Sequence, residues 1–162
     1  MELYPWVVLV HVVAAFLFIL AHGASAFVSF RLRAERDPTR ILALLDLSAS
    51  TIGLMYGTLG LLLLAGIAAG VMGSWFSRGW IWLALGVFVV ITVLMYVVAT
   101  TYYVGIRRAL GQVRPGSREP APEPLPTEQL LVLLDSRRPD AIAAIGGIGL
   151  VVILWLMVVK PF

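Results

Sequence analysis

The sequence predicts an all-α protein, a four-helix transmembrane bundle that forms a single membrane domain over residues 1–162. Two observations predict this fold class. First, 60% of the residues are hydrophobic and only 13% are charged, whereas roughly 25% are charged in an ordinary soluble domain. Second, four runs lack Asp, Glu, Lys and Arg, and each is long enough to cross a bilayer as a helix: residues 3–30, 47–77, 79–106 and 141–159.

Within these runs we expect the membrane-spanning helices at about residues 5–30, 49–73, 80–104 and 141–159. Asp140 follows Pro139 and is a suitable N-cap for the fourth helix. Residues 107–139 are predicted to form a loop, in which five prolines favour an extended, semi-rigid linker: Pro115, Pro120, Pro122, Pro124 and Pro126.

The basic residues predict the orientation of these helices. Ten of the twelve lie between spans one and two or between spans three and four, and only Arg78 and Lys160 lie on the other side. By the positive-inside rule, both basic loops are cytoplasmic and both termini are outside. The five tryptophans fall at the opposite, outward ends of the spans, where indole rings favour the membrane–water interface: Trp6, Trp75, Trp80, Trp82 and Trp155.

Composition also excludes several classes of function. The net charge is +3, but the basic residues flank apolar spans and form no continuous face, so we expect no nucleic-acid partner. The absence of cysteine excludes disulfides, thiolate metal sites and a cysteine nucleophile. We find no Walker-type Gly-Lys loop and no triad on an accessible face, and we therefore expect no independent catalytic activity. The predicted partner is the lipid bilayer.

A weak internal repeat precedes the second and the fourth spans, which both run from the cytoplasmic side to the outer side. The segment PTRILALLD at residues 38–46 resembles PTEQLLVLLD at residues 126–135, with one extra residue in the second. Each segment predicts a short amphipathic helix at the cytoplasmic surface. The pair indicates a two-hairpin repeat, in which spans one and two are echoed by spans three and four.

Both histidines of the chain, His11 and His22, lie in the first span. Ionisable side chains at membrane depth are costly, and they usually face a protein interior, a cofactor or a water-filled path. At about 100° per residue both histidines fall on one helix face, together with Ala15, Phe18 and Ser25. They are separated by about 16 Å along the helix axis, which is too far for one metal ion but suits two sites, one near each leaflet.

Two interpretations of the histidines remain open. In the structural one, each imidazole hydrogen-bonds a facing Ser or Thr hydroxyl or a backbone carbonyl. In the functional one, they are axial ligands of b-type haem, and the protein transfers electrons, alone or as a subunit of a membrane redox complex. A further axial ligand must then be a methionine, be absent, or come from a second copy of the chain. The predicted ligand and propionate-binding set is His11, His22, Met55, Met95, Arg31 and Arg33.

Two other functions are considered beside haem binding. Copper handling would use His11 and His22 as metal ligands, although copper(I) prefers thiolates and thioethers and the chain has no Cys and five scattered Met. A non-catalytic accessory or scaffold role would use the small-residue spacings Gly53-x-x-x-Gly57 and Gly66-x-x-x-Gly70 for close helix packing. In either case we expect a homodimer or a larger membrane complex.

The segment from His11 to Asp46 reads HVVAAFLFILAHGASAFVSFRLRAERDPTRILALLD. It resembles a family of predicted bacterial four-span integral membrane proteins of unknown function, which is distantly similar to the membrane domain of copper-resistance protein D. The resemblance implies a multi-pass protein of the bacterial inner membrane with an intramembrane histidine site. It implies no particular reaction.

Overall fold

The computed structural model describes residues 3–114 and 116–162, and this part of the chain is helical without any β-strand. Its helices are α1 (Tyr4–Ala34), α2 (Pro38–Ser50), α3 (Ile52–Met72), α4 (Gly79–Ala109), α5 (Thr127–Leu134) and α6 (Arg138–Val159), with a single 3₁₀ turn at Trp75–Ser77. Four helical stretches are long and apolar enough to cross a membrane: Tyr4–Ala34, Pro38–Met72, Gly79–Ala109 and Thr127–Val159. The predicted fold class is therefore confirmed. Pro115 of the proline-rich loop lies outside the described residues.

The helices form two hairpins. In the first hairpin α1 packs along α3, and in the second hairpin α4 packs along α6. The hairpins meet through α1 and α6, and the short helices cross between them, because α2 also contacts α4 and α5 also contacts α1. We call the end that carries α2 and α5 the basic end and the opposite end the tryptophan end. This reciprocal crossing agrees with the two-hairpin repeat in the sequence.

The short helices form a core at the basic end. Ile41 and Leu45 of α2 are buried, and so are Leu130 and Leu134 at the corresponding positions of α5. The spacing of four residues places each pair on one helix face, and both pairs join the same apolar cluster, which includes Tyr102. The two predicted amphipathic helices are thus present, and their apolar faces hold the hairpins together.

Local hydrogen bonds explain where α2 begins and ends. The Asp37 carboxylate accepts from the Thr39 N–H at 2.8 Å and caps α2. The exposed Glu35 carboxylate accepts from the backbone N–H groups of Arg36 and Asp37, and these bonds hold its pKa below the ordinary value. At the other end, the Thr51 hydroxyl donates to the Ser48 carbonyl at 2.9 Å. Such side-chain bonds compete with the helix ladder, and α2 gives way to α3 at Thr51.

The beginning of α6 differs from the prediction that Asp140 is its N-cap. The helix starts earlier, at Arg138, with Pro139 in its first turn. Proline is well tolerated there because its missing N–H would have no helical acceptor. Asp140 lies inside the first turn, where a carboxylate interacts favourably with the helix dipole, and its Oδ2 lies 3.1 Å from Nη1 of Arg33.

Aromatic residues close the tryptophan end. Trp80 and Ile81 are buried there, with Trp75 and Phe76 packed against them. Trp75 Nε1 donates to the Tyr4 hydroxyl at 3.2 Å, which ties the loop between the hairpins to the start of α1. The hairpins are therefore joined at both ends, and the space between them lies midway between the basic end and the tryptophan end.

Candidate functional site

A cavity of about 1520 Å³ lies between the two hairpins. All four long helices contribute to its walls, and α3 makes no extended contact with α4 or α6. The lining side chains are mainly apolar, and His11 and His22 are both among them. Both histidines therefore face the space between the hairpins.

The face of α1 that was predicted to carry the histidines is the face that lines the cavity. His11, Ala15, Phe18, His22 and Ser25 all border it. Residues on the other side of the helix point outward and are exposed, namely Leu9, Leu20 and Phe27. The shared face of the two histidines is as predicted, since it depends only on regular helix geometry. Ile19 also lines the cavity, so the lining is wider than the histidine stripe.

His11 is hydrogen-bonded to the neighbouring helix of its own hairpin. Its Nδ1 lies 2.9 Å from the Leu62 carbonyl oxygen. A carbonyl can only accept, so Nδ1 is the donor in this bond, and Nε2 is the ring nitrogen left for another partner. A Cβ on Gly66 would lie 2.8 Å from Cε1 of the ring, so this imidazole needs a glycine opposite it. A backbone-carbonyl partner, one of the expected alternatives, is confirmed for His11.

His22 is in a different situation. Its ring stacks on Phe18, with centroids 5.7 Å apart and planes 13° apart, and it faces Gly146 of α6. Within residues 3–114 and 116–162 the ring has no hydrogen-bond partner, and no fully buried side-chain nitrogen or oxygen is left unpaired. The His22 nitrogens are therefore accessible from the cavity.

Met95 and His22 both lie close to Gly146. A Cβ on Gly146 would lie 3.2 Å from His22 Nε2 and 3.9 Å from Met95 Cε. Met95 is buried on α4, whereas Met55 lines the cavity from α3. The structure therefore places His22 and Met95, from different hairpins, on either side of Gly146, and Met55 borders the same cavity.

Arg31 and Arg33 do not line this cavity. Arg33 pairs with Asp140, as described above, and Arg31 borders a separate depression at the surface together with Glu35 and Arg40. The structure thus separates these two arginines from the other four predicted site residues.

A group of hydroxyl side chains lies closer to His22 than Arg31 and Arg33 do. The sequence did not predict that these side chains come together. Ser25 Oγ is 2.8 Å from Ser48 Oγ and 3.3 Å from Thr51 Oγ1, and the Tyr103 hydroxyl donates to the Ser25 carbonyl at 2.6 Å. We call these four residues the hydroxyl cluster. Ser25 lies about one helical turn from His22 towards the basic end. Its position on the histidine face was the only signal in the sequence.

Comparison with known families covers almost the whole chain. The family described as "Predicted integral membrane protein (DUF2269)" matches residues 5–161. No curated protein and no solved structure matches the chain. The matched region includes all four long helices, both histidines and Met95, so the cavity lies within it.

Proposed function

The chain belongs to this family of predicted integral membrane proteins, and we propose that it binds b-type haem in the cavity between its hairpins and takes part in electron transfer. In this proposal the chain works as a subunit of a membrane redox complex and has no independent catalytic activity. The complex lies in the bacterial inner membrane, with both termini of the chain outside. The cavity volume of about 1520 Å³ exceeds the roughly 300–1,000 Å³ of common small-molecule sites.

The observation that carries this proposal concerns the two ring nitrogens of His22. Its ring nitrogens reach the cavity and have no protein partner among the described residues, and Met95 lies beside it. Imidazole and thioether are both established axial ligands of haem iron. His22 would provide the imidazole and Met95 the thioether, and bound haem would supply a one-electron redox centre. The hydroxyl cluster is the nearest group of polar side chains for the haem carboxylates.

His11 has a separate place in the proposal. Its Nδ1–H bond to the Leu62 carbonyl fixes the ring orientation and leaves Nε2 for another partner. Metal-bound histidines commonly donate their other ring N–H to such a group. His11 is therefore a ligand candidate for a second layer in the tryptophan-end half of the cavity.

An absorption spectrum of the purified protein tests the proposal. Expressed in a host that makes haem, the chain should show a Soret band, with one haem per chain if only the His22 layer is filled and two if the His11 layer is filled as well. H22A should abolish the band from the His22 layer. M95L should retain haem but lower its reduction potential, because a Met ligand raises it. The matched control is T101A, since Thr101 is exposed and its hydroxyl donates within its own helix. A folded but colourless wild-type protein would overturn haem binding.

Copper handling is a second candidate because it would use the same pair of ligands. His22 and Met95 combine an imidazole with a thioether, and copper(I) prefers soft sulfur ligands. Elemental analysis separates the candidates: copper near one per chain, lost in both H22A and M95L, would favour copper over haem.

A structural role as an accessory subunit is the third candidate. It is favoured by His11, whose hydrogen bond and contact with Gly66 lie entirely within one hairpin. In this case the protein should migrate in a homodimer or a larger complex in mild detergent, and H11A should destabilise it without changing any spectrum.

A further inference from the structure

Three arginines line the basic-end mouth of the same cavity: Arg107, Arg108 and Arg114. Arg107 is the most buried, with 10% of its side chain exposed, and its Nη2 lies 2.6 Å from Asp46 Oδ1. Arg108 pairs with Glu119 at 2.8 Å. Arg114 is exposed, and none of the described carboxylates pairs with it. The mouth therefore carries more positive than negative charge.

The proposed haem site does not account for these arginines. Arg107 follows Met95 by twelve residues on α4, which is about 18 Å along the axis. Haem carboxylates placed at the hydroxyl cluster would reach the level of Tyr103, which is about one helical turn short of Arg107. The cavity wall between the two levels includes the apolar residues Leu45, Ala99 and Ile142 beside members of the hydroxyl cluster.

The cavity is also open at its side. Tyr56 of α3 and Tyr96 of α4 both line it and are 48% and 60% exposed. Since α3 and α4 make no extended contact, a molecule from the surrounding bilayer can enter between them without crossing water. An apolar cleft with a cationic mouth is complementary to a molecule with an apolar chain and an anionic head.

We propose that this part of the cavity binds one membrane phospholipid with an anionic headgroup. The headgroup phosphate contacts Arg108 and Arg114, since guanidinium groups bind phosphate oxygens in a bidentate way. Arg107, held by Asp46, adds positive charge at the inner side of the mouth. An acyl chain occupies the apolar cleft between α3 and α4. This assignment is independent of haem binding.

Native mass spectrometry of detergent-purified, haem-free protein tests the proposal with two lipids of identical acyl chains. We expect phosphatidylglycerol to be retained in preference to phosphatidylcholine. In the double variant R108Q/R114Q this preference should fall by about fivefold for each arginine removed. The matched control is R31Q/R40Q, which removes the same charge at the same end from residues outside this cavity. It should keep the preference.

A cavity-filling variant tests the acyl-chain part. A99W places a bulky ring in the apolar wall and leaves all three arginines in place, so it should lower the binding of both lipids. Circular dichroism checks that the helices remain. The proposal is overturned if the wild-type protein shows no headgroup preference or if both double variants lose it equally. Displacement of the lipid by excess inorganic phosphate would likewise overturn it and indicate a simple anion site.

Discussion

Gly146 of α6 lies directly against the imidazole of His22 of α1, so that a Cβ at Gly146 would be 3.2 Å from Nε2. This distance is tighter than an ordinary van der Waals contact, and one of the two groups must move if a methyl group is added. The contact joins the two hairpins at a point that Met95 also borders. It also makes Gly146 a positioning residue for the proposed ligand.

G146A should therefore weaken haem retention. The added methyl displaces the His22 ring from its present position, because a Cβ at 3.2 Å from Nε2 is too close for the ring to stay in place. Haem content per chain after extensive washing measures the effect. The neighbouring variant G147A is the control, because nothing lies within 4 Å of a Cβ at Gly147. Equal haem content in the two variants would contradict this role for Gly146.

G66A should destabilise the first hairpin. A Cβ at Gly66 would lie 2.8 Å from Cε1 and 3.0 Å from Nδ1 of His11, so the ring must leave its bond to the Leu62 carbonyl. Such polar contacts in membranes are worth about 1 kcal/mol, and we expect a loss of that size in the free energy of unfolding in mixed detergent. G60A, in the same helix with open space around its Cβ, should be neutral or slightly stabilising. A stable G66A protein would mean that the bond contributes nothing.

The sequence was sufficient for the features that depend on regular helix geometry. Length and composition predicted four spans, and the angular position of each residue predicted that His11 and His22 share the face that borders the cavity. The weak repeat predicted two short helices, and Ile41 and Leu130 are buried at corresponding positions. These features follow from one helix at a time, and no knowledge of the packing was needed.

Features that depend on how the hairpins cross could not be predicted. Met95 and His22 come from different hairpins, and their approach depends on Gly146 of a third helix. Tyr103 reaches Ser25 across 78 positions in the chain. Arg33 was predicted to bind a haem propionate only because it lies on the basic-end side of His22 along the first span. That position does not specify where its side chain points, and Arg33 pairs with Asp140.

Among the described residues, two of the three ion pairs between the hairpins join each short helix to the other hairpin, and these two should differ in strength. Arg107 with Asp46 is partly buried, whereas Arg36 with Asp135 is half exposed on both sides. Removing a charged hydrogen bond with a buried partner costs more than removing a surface pair. We expect D46N to lower the free energy of unfolding by about 1–2 kcal/mol, and D135N by under about 1 kcal/mol. Double-mutant cycles with R107Q and R36Q measure both coupling energies. Equal couplings would show that burial of Arg107 adds nothing.

The orientation of the chain can be tested with single cysteines because the natural sequence has none. Ser77 near the tryptophan end and Ser117 in the proline-rich loop are both exposed. The positive-inside rule predicts that the basic loops lie in the cytoplasm, because translocating arginines across the membrane is unfavourable. The cells are first freed of any outer membrane or wall, and their cytoplasmic membrane is left intact. A membrane-impermeant maleimide should then label S77C and should leave S117C unlabelled until the cells are lysed. Labelling of S117C before lysis, with protection of S77C, would reverse the assignment and place the arginine-lined mouth of the cavity on the outer side.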